Sequence, residues 1–118
     1  MKVWNLVEEV VEPRKPRVIG AAEEGRAILI NLPAGESLGE HQVRERATVI
    51  VLSGDLEIST ADRPATGAGA GTMAVFEPTE RHSVLARQDS RFLLLLAPWS
   101  SDEHSSMMPW RSEGEPAA

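Results

Sequence analysis

Short runs of aliphatic and β-branched residues recur about every ten residues from Arg17 onward, and turn-forming residues separate them. This spacing is typical of an antiparallel sandwich or barrel. It predicts strands at about 17–20, 26–32, 39–43, 47–53, 55–60, 72–76, 82–87 and 91–97. Ser53-Gly54 indicates a tight hairpin, because Gly accepts the positive φ of such turns. The Gly-, Ala- and Pro-rich stretch 61–71 predicts a variable connection between two halves of the sheet arrangement.

The remaining segments lie at the two ends of the chain. Asn5 can cap a short helix over 5–11, with Glu8 completing a capping box, and Pro13 and Pro16 end it. With 118 residues the chain forms one domain, which we place at 1–97. Residues 98–118 are a C-terminal tail that we expect to be partly disordered. Trp99 and Trp110 indicate that part of the tail docks on the domain or on a second subunit.

Composition excludes several functional classes. The chain contains no Cys, which removes disulfide, thiolate-metal and thiol-nucleophile chemistry. Its net charge is −6 and its basic residues form no stripe, so we expect no nucleic-acid partner. The longest apolar run, Phe92–Ala97, is far shorter than the ~20 residues of a membrane span. A cytoplasmic protein without membrane contact is therefore expected, because the N-terminus also lacks a signal-peptide apolar region.

The three histidines are the main candidates for chemistry. His41 and His82 occupy comparable places in the two halves of the chain, each just past a turn and leading into an apolar run. His104 lies in a polar part of the tail, where we expect it to be solvated.

The residues around these two histidines resemble the two sequence motifs of the cupins. In the first motif, G(x)5HxH(x)3,4E(x)6G, the matching positions are Gly35, His41 and Gly54. In the second, G(x)5PxGxxH, they are Gly71 and His82. The resemblance covers about residues 25–97 and implies a cupin-like jelly-roll β-barrel of two antiparallel sheets, in agreement with the predicted strands.

The chain departs from the family at half of the expected ligand positions. In cupins, two histidines and a glutamate of the first motif and one histidine of the second typically bind iron, manganese, nickel or zinc. Val43 stands at the second histidine position and Ala47 at the glutamate position. In the second motif Glu77 replaces the proline and Thr79 replaces the glycine.

These departures leave several interpretations of the site open. Residues 41, 43, 45 and 47 share one face of a strand, so a metal set of His41, Glu45 and His82 is one hypothesis. The charged segment 42–46 can equally be a solvated turn. A second hypothesis is metal-free, with His41, His82, Val43 and Ala47 lining a small-molecule site. In a third, backbone groups satisfy both histidines in the core.

The leading functional hypothesis is a small cupin-like protein that binds a small molecule in the barrel mouth without a complete metal site. The alternative is a metal-dependent enzyme, a dioxygenase or isomerase, that uses His41 and His82. A third class is a structural or partner-binding module with a filled interior. The resemblance also implies a homodimer, with Val3, Trp4 and Trp99 as candidate contacts. The predicted interior positions are Ile28, Ile30, Val49, Val51, Leu56, Ile58, Val75 and Val84.

Overall fold

The described part of the chain, residues 1–22, 25–38 and 45–97 of a computed structural model, is built from antiparallel strands. The strands are β1 (Arg17–Ala22), β2 (Gly25–Leu32), β3 (Arg46–Ser53), β4 (Asp55–Thr60), β5 (Thr66–Gly69), β6 (Met73–Phe76), β7 (His82–Ala86) and β8 (Ser90–Ala97). Across those three ranges there is no helix that is long and apolar enough to cross a bilayer.

The strands form two facing sheets. One has five strands in the order β1-β2-β8-β3-β6, and the other has three in the order β5-β4-β7. Every pairing is antiparallel, which confirms the predicted jelly-roll class. The predicted strand at 39–43 falls outside the described residues. Just before it, Ser37 forms a bridge with Leu85, so the chain runs alongside β7 as it approaches that segment.

The core fills the space between the sheets and follows the two-residue alternation of the strands. All but one of the predicted interior positions are buried there. The exception is Val75, which is 41% exposed, so that prediction is wrong. Phe76 is buried instead, and Ala74 packs against the core, because the four-residue strand β6 presents its even-numbered residues inward.

The stretch 61–71 is more than a connection, because it contains β5. Gly and Ala carry little intrinsic strand preference, so nothing local predicts it. The strand forms by pairing with β4, where Ala68 lies opposite Leu56 and is 2% exposed. Pairing and burial therefore decide the structure of this stretch.

The predicted helix over 5–11 is wrong, because the structure has a single turn there. Asn5 caps it as expected, since its Oδ1 accepts hydrogen bonds from the amides of Val7 and Glu8 at 3.1 and 3.3 Å. Arg91 of β8 then donates to the carbonyls of Leu6 and Val7, both at 2.9 Å. These are carbonyls that a continuing helix would use, and so short a helix is marginal without tertiary support.

Residues 1–16, called the N-terminal segment below, lie on the outer face of the five-stranded sheet. Leu6 and Val11 pack there against Leu29 and Leu93. Val10 is 81% exposed, so the apolar side chains of the segment are buried only in part. The Asn31 side chain donates to the Val11 carbonyl at 2.7 Å and holds the end of the segment.

Candidate functional site

The barrel mouth is defined here as the end of the space between the sheets where His82 lies. His82 begins β7 and alternates with Val84 and Ala86, which are buried in the core, so its ring points inward. The residue is 4% exposed. Its ring stacks on Phe76, with centroids 4.0 Å apart and planes inclined by 9°. The second-motif histidine is therefore a buried residue held against an aromatic ring of the opposite sheet.

The loop before β7 fixes the orientation and tautomer of this histidine. His82 Nδ1 lies 3.1 Å from the carbonyl oxygen of Glu80. A backbone carbonyl only accepts hydrogen bonds, so Nδ1 is the protonated nitrogen. In the neutral ring Nε2 then carries the lone pair. Metal-binding histidines use the same arrangement, and so do histidines that accept a hydrogen bond from a ligand.

A row of side chains crosses the five-stranded sheet at this mouth. Phe76 pairs with Ala47, Ala47 pairs with Leu96, and Leu96 pairs with Arg26. Directly paired residues share a face, and three of the four belong to the core. Arg26 stands two residues before the core residue Ile28 on the same strand, so it continues this inner face at the mouth.

Glu45, the third ligand of the metal hypothesis, forms an ion pair at this mouth. Its Oε2 lies 2.9 Å from Nη2 of Arg26, across the intervening strand β8. Ala47 is 1% exposed and offers no ligand atom. No three His, Asp or Glu side chains within 1–22, 25–38 and 45–97 are grouped so as to hold a metal ion. His41 and Val43 lie outside the described residues, so the set His41, Glu45 and His82 stays a prediction.

The loop from Glu77 to Glu80 explains the departures in the second motif. Glu80 donates its amide to the Glu77 carbonyl at 3.0 Å, Pro78 occupies the second position, and Thr79 has a φ of +67°. These are the features of a type II turn, whose third position favours Gly. The turn thus keeps the geometry for which the motif glycine is suited, although a β-branched residue occupies it.

Glu77, which stands at the motif proline, has a defined structural role. Its Oε2 accepts a hydrogen bond of 2.9 Å from Nη1 of Arg46, the residue that follows Glu45 at the start of β3, and its Oε1 lies 2.9 Å from Nη2 of the same arginine. Arg46 is 3% exposed, so this two-point pair is largely removed from water on the arginine side. Its partner Glu77 is bound from the other side, since its amide donates to Glu80 Oε1 at 3.0 Å.

A cleft of about 660 Å³ opens beside the mouth, between β6 of the larger sheet and β4–β5 of the smaller one. It shares Phe76 and Glu80 with the surroundings of His82. The other lining residues are Ile58, Ser59, Thr60, Asp62, Arg63, Thr66, Gly67, Ala68, Thr72, Met73, Ala74 and Val75. Aliphatic walls and hydroxyl groups thus lie within reach of a molecule that enters the mouth.

Two facing antiparallel sheets in this strand order define a jelly-roll protein, and comparison with solved structures narrows that class. An RmlC-like cupin protein from Desulfovibrio desulfuricans is similar with a TM-score of 0.74 and 24% identity, over 83% of this chain and 97% of that one. A conserved protein of unknown function from Streptococcus pyogenes is similar with a TM-score of 0.73 and 23% identity, over 85% and 90%.

A third structure, a conserved protein with a double-stranded β-helix domain from Klebsiella pneumoniae, has a TM-score of 0.72 and 18% identity, over 86% and 94%. The chain therefore has the cupin fold. No protein-family profile and no curated protein matches it.

Sequence reasoning located His82 and Ala47 but missed three residues of the mouth. Phe76 and Glu80 contact His82 through stacking and a backbone carbonyl, which no spacing rule reveals. The sequence does contain a signal for Arg26, because it lies two residues before Ile28 in a run where apolar residues recur at every second position. When a charged residue lies two positions before a series of inward-facing apolar residues, at the end of the same strand, it is a candidate residue of the barrel mouth.

Proposed function

We propose that the barrel mouth binds a small molecule against His82, without the complete metal set of the cupin motifs. The observation that carries this proposal is the buried His82 ring, stacked on Phe76 and oriented by the Glu80 carbonyl. A histidine fixed in this way presents Nε2 in one direction, which is the preorganisation that selective binding needs.

The surroundings of His82 support binding of an organic molecule. Phe76, Ala47 and Leu96 give the inner face of the mouth an apolar floor. Ala47 occupies the motif position of a glutamate, so this part of the floor has neither the length nor the charge of a carboxylate side chain. The adjoining cleft adds hydroxyl groups at its rim, including those of Thr60 and Thr66. A largely apolar pocket with a few fixed polar groups is the usual form of a small-molecule site.

The test is a ligand screen with a matched pair of variants. Metabolite mixtures are added to the purified protein, thermal unfolding is recorded, and each hit is measured by titration calorimetry. We expect His82→Gln to abolish or strongly weaken binding of the hit. Leu85→Ala, on the outward side of the same strand, should bind normally, because Leu85 does not face the mouth. Equal affinity in the wild type and His82→Gln, or no hit at all, would overturn the proposal.

A metal-dependent enzyme, a dioxygenase or an isomerase that uses His41 and His82, is the second candidate. The observation that favours it is the bond between His82 Nδ1 and a carbonyl, which also orients metal-binding imidazoles. Against it, Glu45 is engaged by Arg26. Iron, manganese, nickel or zinc bound at this mouth would supply Lewis-acid or redox chemistry. Elemental analysis of protein purified without chelator decides between the candidates. Stoichiometric metal that is lost in both His82→Ala and His41→Ala would replace the first proposal by this one.

We further propose a homodimer that uses the N-terminal segment. Within the described residues, ten large apolar side chains are exposed, and six of them lie in the first 18 residues, among them Val3, Trp4 and Val10. Such a concentration on one part of the surface is typical of an interaction site. Light scattering after gel filtration should give about twice the chain mass, and Val10→Glu should reduce it to the monomer. A wild-type protein that is monomeric at micromolar concentration would contradict the dimer.

A further inference from the structure

We infer that the molecule bound in the mouth is a carboxylic acid with an apolar body, and that Arg26 holds its carboxylate. This inference rests on the proposed function and names its ligand class. It starts from the place of Arg26 at one end of the inner row, with the apolar Leu96 and Ala47 between it and Phe76.

The guanidinium of Arg26 has donors to spare. Within the described residues its side chain makes one hydrogen bond, from Nη2 to Glu45 at 2.9 Å. A guanidinium has five N–H donors in a planar fork that fits a carboxylate at two points. Arg46 and Arg14 both form such multi-point pairs in this protein, with Glu77 and Glu36 respectively. Within the described residues, the guanidinium of Arg26 thus uses only some of its donors.

The exposure of the two partners allows a ligand to reach the pair. The side chain of Arg26 is 45% exposed and that of Glu45 is 29% exposed. An ion pair this accessible is weak, because water screens it and holding two long side chains together costs entropy. A ligand carboxylate can therefore displace Glu45 or share Arg26 with it. Glu45 thus occupies the position on Arg26 that the ligand carboxylate would take, and it balances the charge of the arginine.

Among the charged groups of the mouth, Arg26 is an accessible cation that stands beside an uncharged floor. Glu45 is neutralised by Arg26, and the Glu80 carboxylate accepts a hydrogen bond from the Glu77 amide. At the motif position of an acidic metal ligand, Ala47 contributes no charge. A bound carboxylate thus meets a cationic fork at one end and the uncharged side chains of Leu96 and Ala47 beside it.

The size of the ligand follows from the sheet. Phe76, Ala47, Leu96 and Arg26 lie on four adjacent strands, and neighbouring strands are about 4.8 Å apart, so the row spans up to about 14 Å. In the proposed binding mode, an acid whose carboxylate binds Arg26 extends along this row toward His82 with a body of several carbons. Short aliphatic and aromatic monocarboxylates fit this description.

The experiment compares acids with their uncharged counterparts. Hexanoate and benzoate are titrated against hexanamide and benzamide by ligand-observed NMR and calorimetry at low ionic strength. We expect each acid to bind at least about tenfold more tightly than its amide, as is typical for a charge-assisted hydrogen-bond pair. Arg26→Gln should remove that advantage. Glu45→Gln should increase acid affinity several-fold, because it removes the internal competitor.

A matched control separates this role from general electrostatics. Arg17 has the same side-chain exposure as Arg26, 45%, and also pairs with one glutamate, but it faces the N-terminal segment. Arg17→Gln should therefore leave acid binding unchanged. Equal binding of acids and amides, or equal effects of the two arginine variants, overturns the inference. If amides bind and His82→Gln abolishes their binding, only the carboxylate assignment fails. If these probes and the metabolite screen both give no binding, the proposed function fails as well.

Discussion

Gly54 and Gly71 form a natural pair for testing what the motif glycines do. Both are the glycines of tight turns, with nearly equal φ angles of +92° and +91°. Their surroundings differ. A Cβ atom at Gly71 would meet nothing within 4 Å, whereas one at Gly54 would lie 2.5 Å from the Asp89 carbonyl oxygen and 2.6 Å from the Ser90 Cα. Replacing each by alanine therefore separates the cost of backbone conformation from the cost of steric overlap.

The expected magnitudes follow from these contacts. At Gly71 alanine adds a left-handed strain of roughly 1–2 kcal/mol, partly offset by the lower entropy of the unfolded chain, so we expect a loss of about 1 kcal/mol. At Gly54 the same conformational term applies, and crowding adds about 1–3 kcal/mol because the contacted atoms belong to the backbone. The Ser90 hydroxyl, which accepts from the Asp55 amide at 3.0 Å, is also displaced. Gly54→Ala should thus lose about 2–4 kcal/mol.

Urea denaturation followed by far-UV circular dichroism measures the loss of unfolding free energy in both variants under the same conditions. The slopes with denaturant should stay equal, so that the shift in midpoint reports the free energy of unfolding. Gly54→Ala should be less stable than Gly71→Ala by at least about 1 kcal/mol. Equal losses would show that the hairpin moves away from Asp89 and Ser90 at no cost, and would refute the steric argument.

Three further predictions concern single side chains. Thr79→Gly should raise the free energy of unfolding by about 1 kcal/mol, because it relieves a β-branched residue at a positive φ, and urea denaturation measures this. The hydrogen bond from Arg14 to Glu36 lowers the pKa of that carboxyl. Its stabilising effect is present above the ordinary pKa of a glutamate and disappears as the pH falls through the lowered value, so Arg14→Gln should flatten the acid side of a stability-against-pH curve. Arg91→Gln should accelerate amide hydrogen exchange in the N-terminal segment, because it removes a charged donor to two carbonyls of that segment.

Each of these predictions has a contrary result. Thr79→Ala keeps the Cβ atom, so a gain equal to that of the glycine variant would contradict the argument from φ. An unchanged acid profile in Arg14→Gln would show that water fully screens this exposed pair. If hydrogen exchange in Arg91→Gln rises equally in the core strands, then the arginine supports the whole fold rather than the segment.

The strands that the sequence predicted are those with strong local signals. The hairpin at Ser53-Gly54 forms where expected, because Gly54 supplies a positive φ between two long alternating runs. β5 and the phase of β6 could not be predicted in this way. Each has four residues, and pairing with β4 and β3 decides their structure. The N-terminal turn likewise depends on Arg91, a residue distant in sequence.

The residues of the candidate site show the same difference between local sequence signals and long-range contacts. A motif at fixed spacing pointed to His82 and to the substitution at Ala47. The contacts of these residues depend on strand register, which sets Phe76 opposite Ala47 and places Arg26 at the end of the same row. Register over such sequence distances arises from the packed sheets and is not encoded in any short pattern.

The central position of β8 has a consequence for the order in which the chain folds. β8 lies between β2 and β3, so both strands lack a partner along one edge until residues 90–97 have been synthesised. Arg91, which secures the N-terminal segment, belongs to the same late strand. The N-terminal segment therefore docks on the sheet only after β8, the last described strand, has been synthesised. Assembly is governed by contacts of long sequence separation, which makes it slow, and the incomplete sheet is the species most exposed to self-association during synthesis.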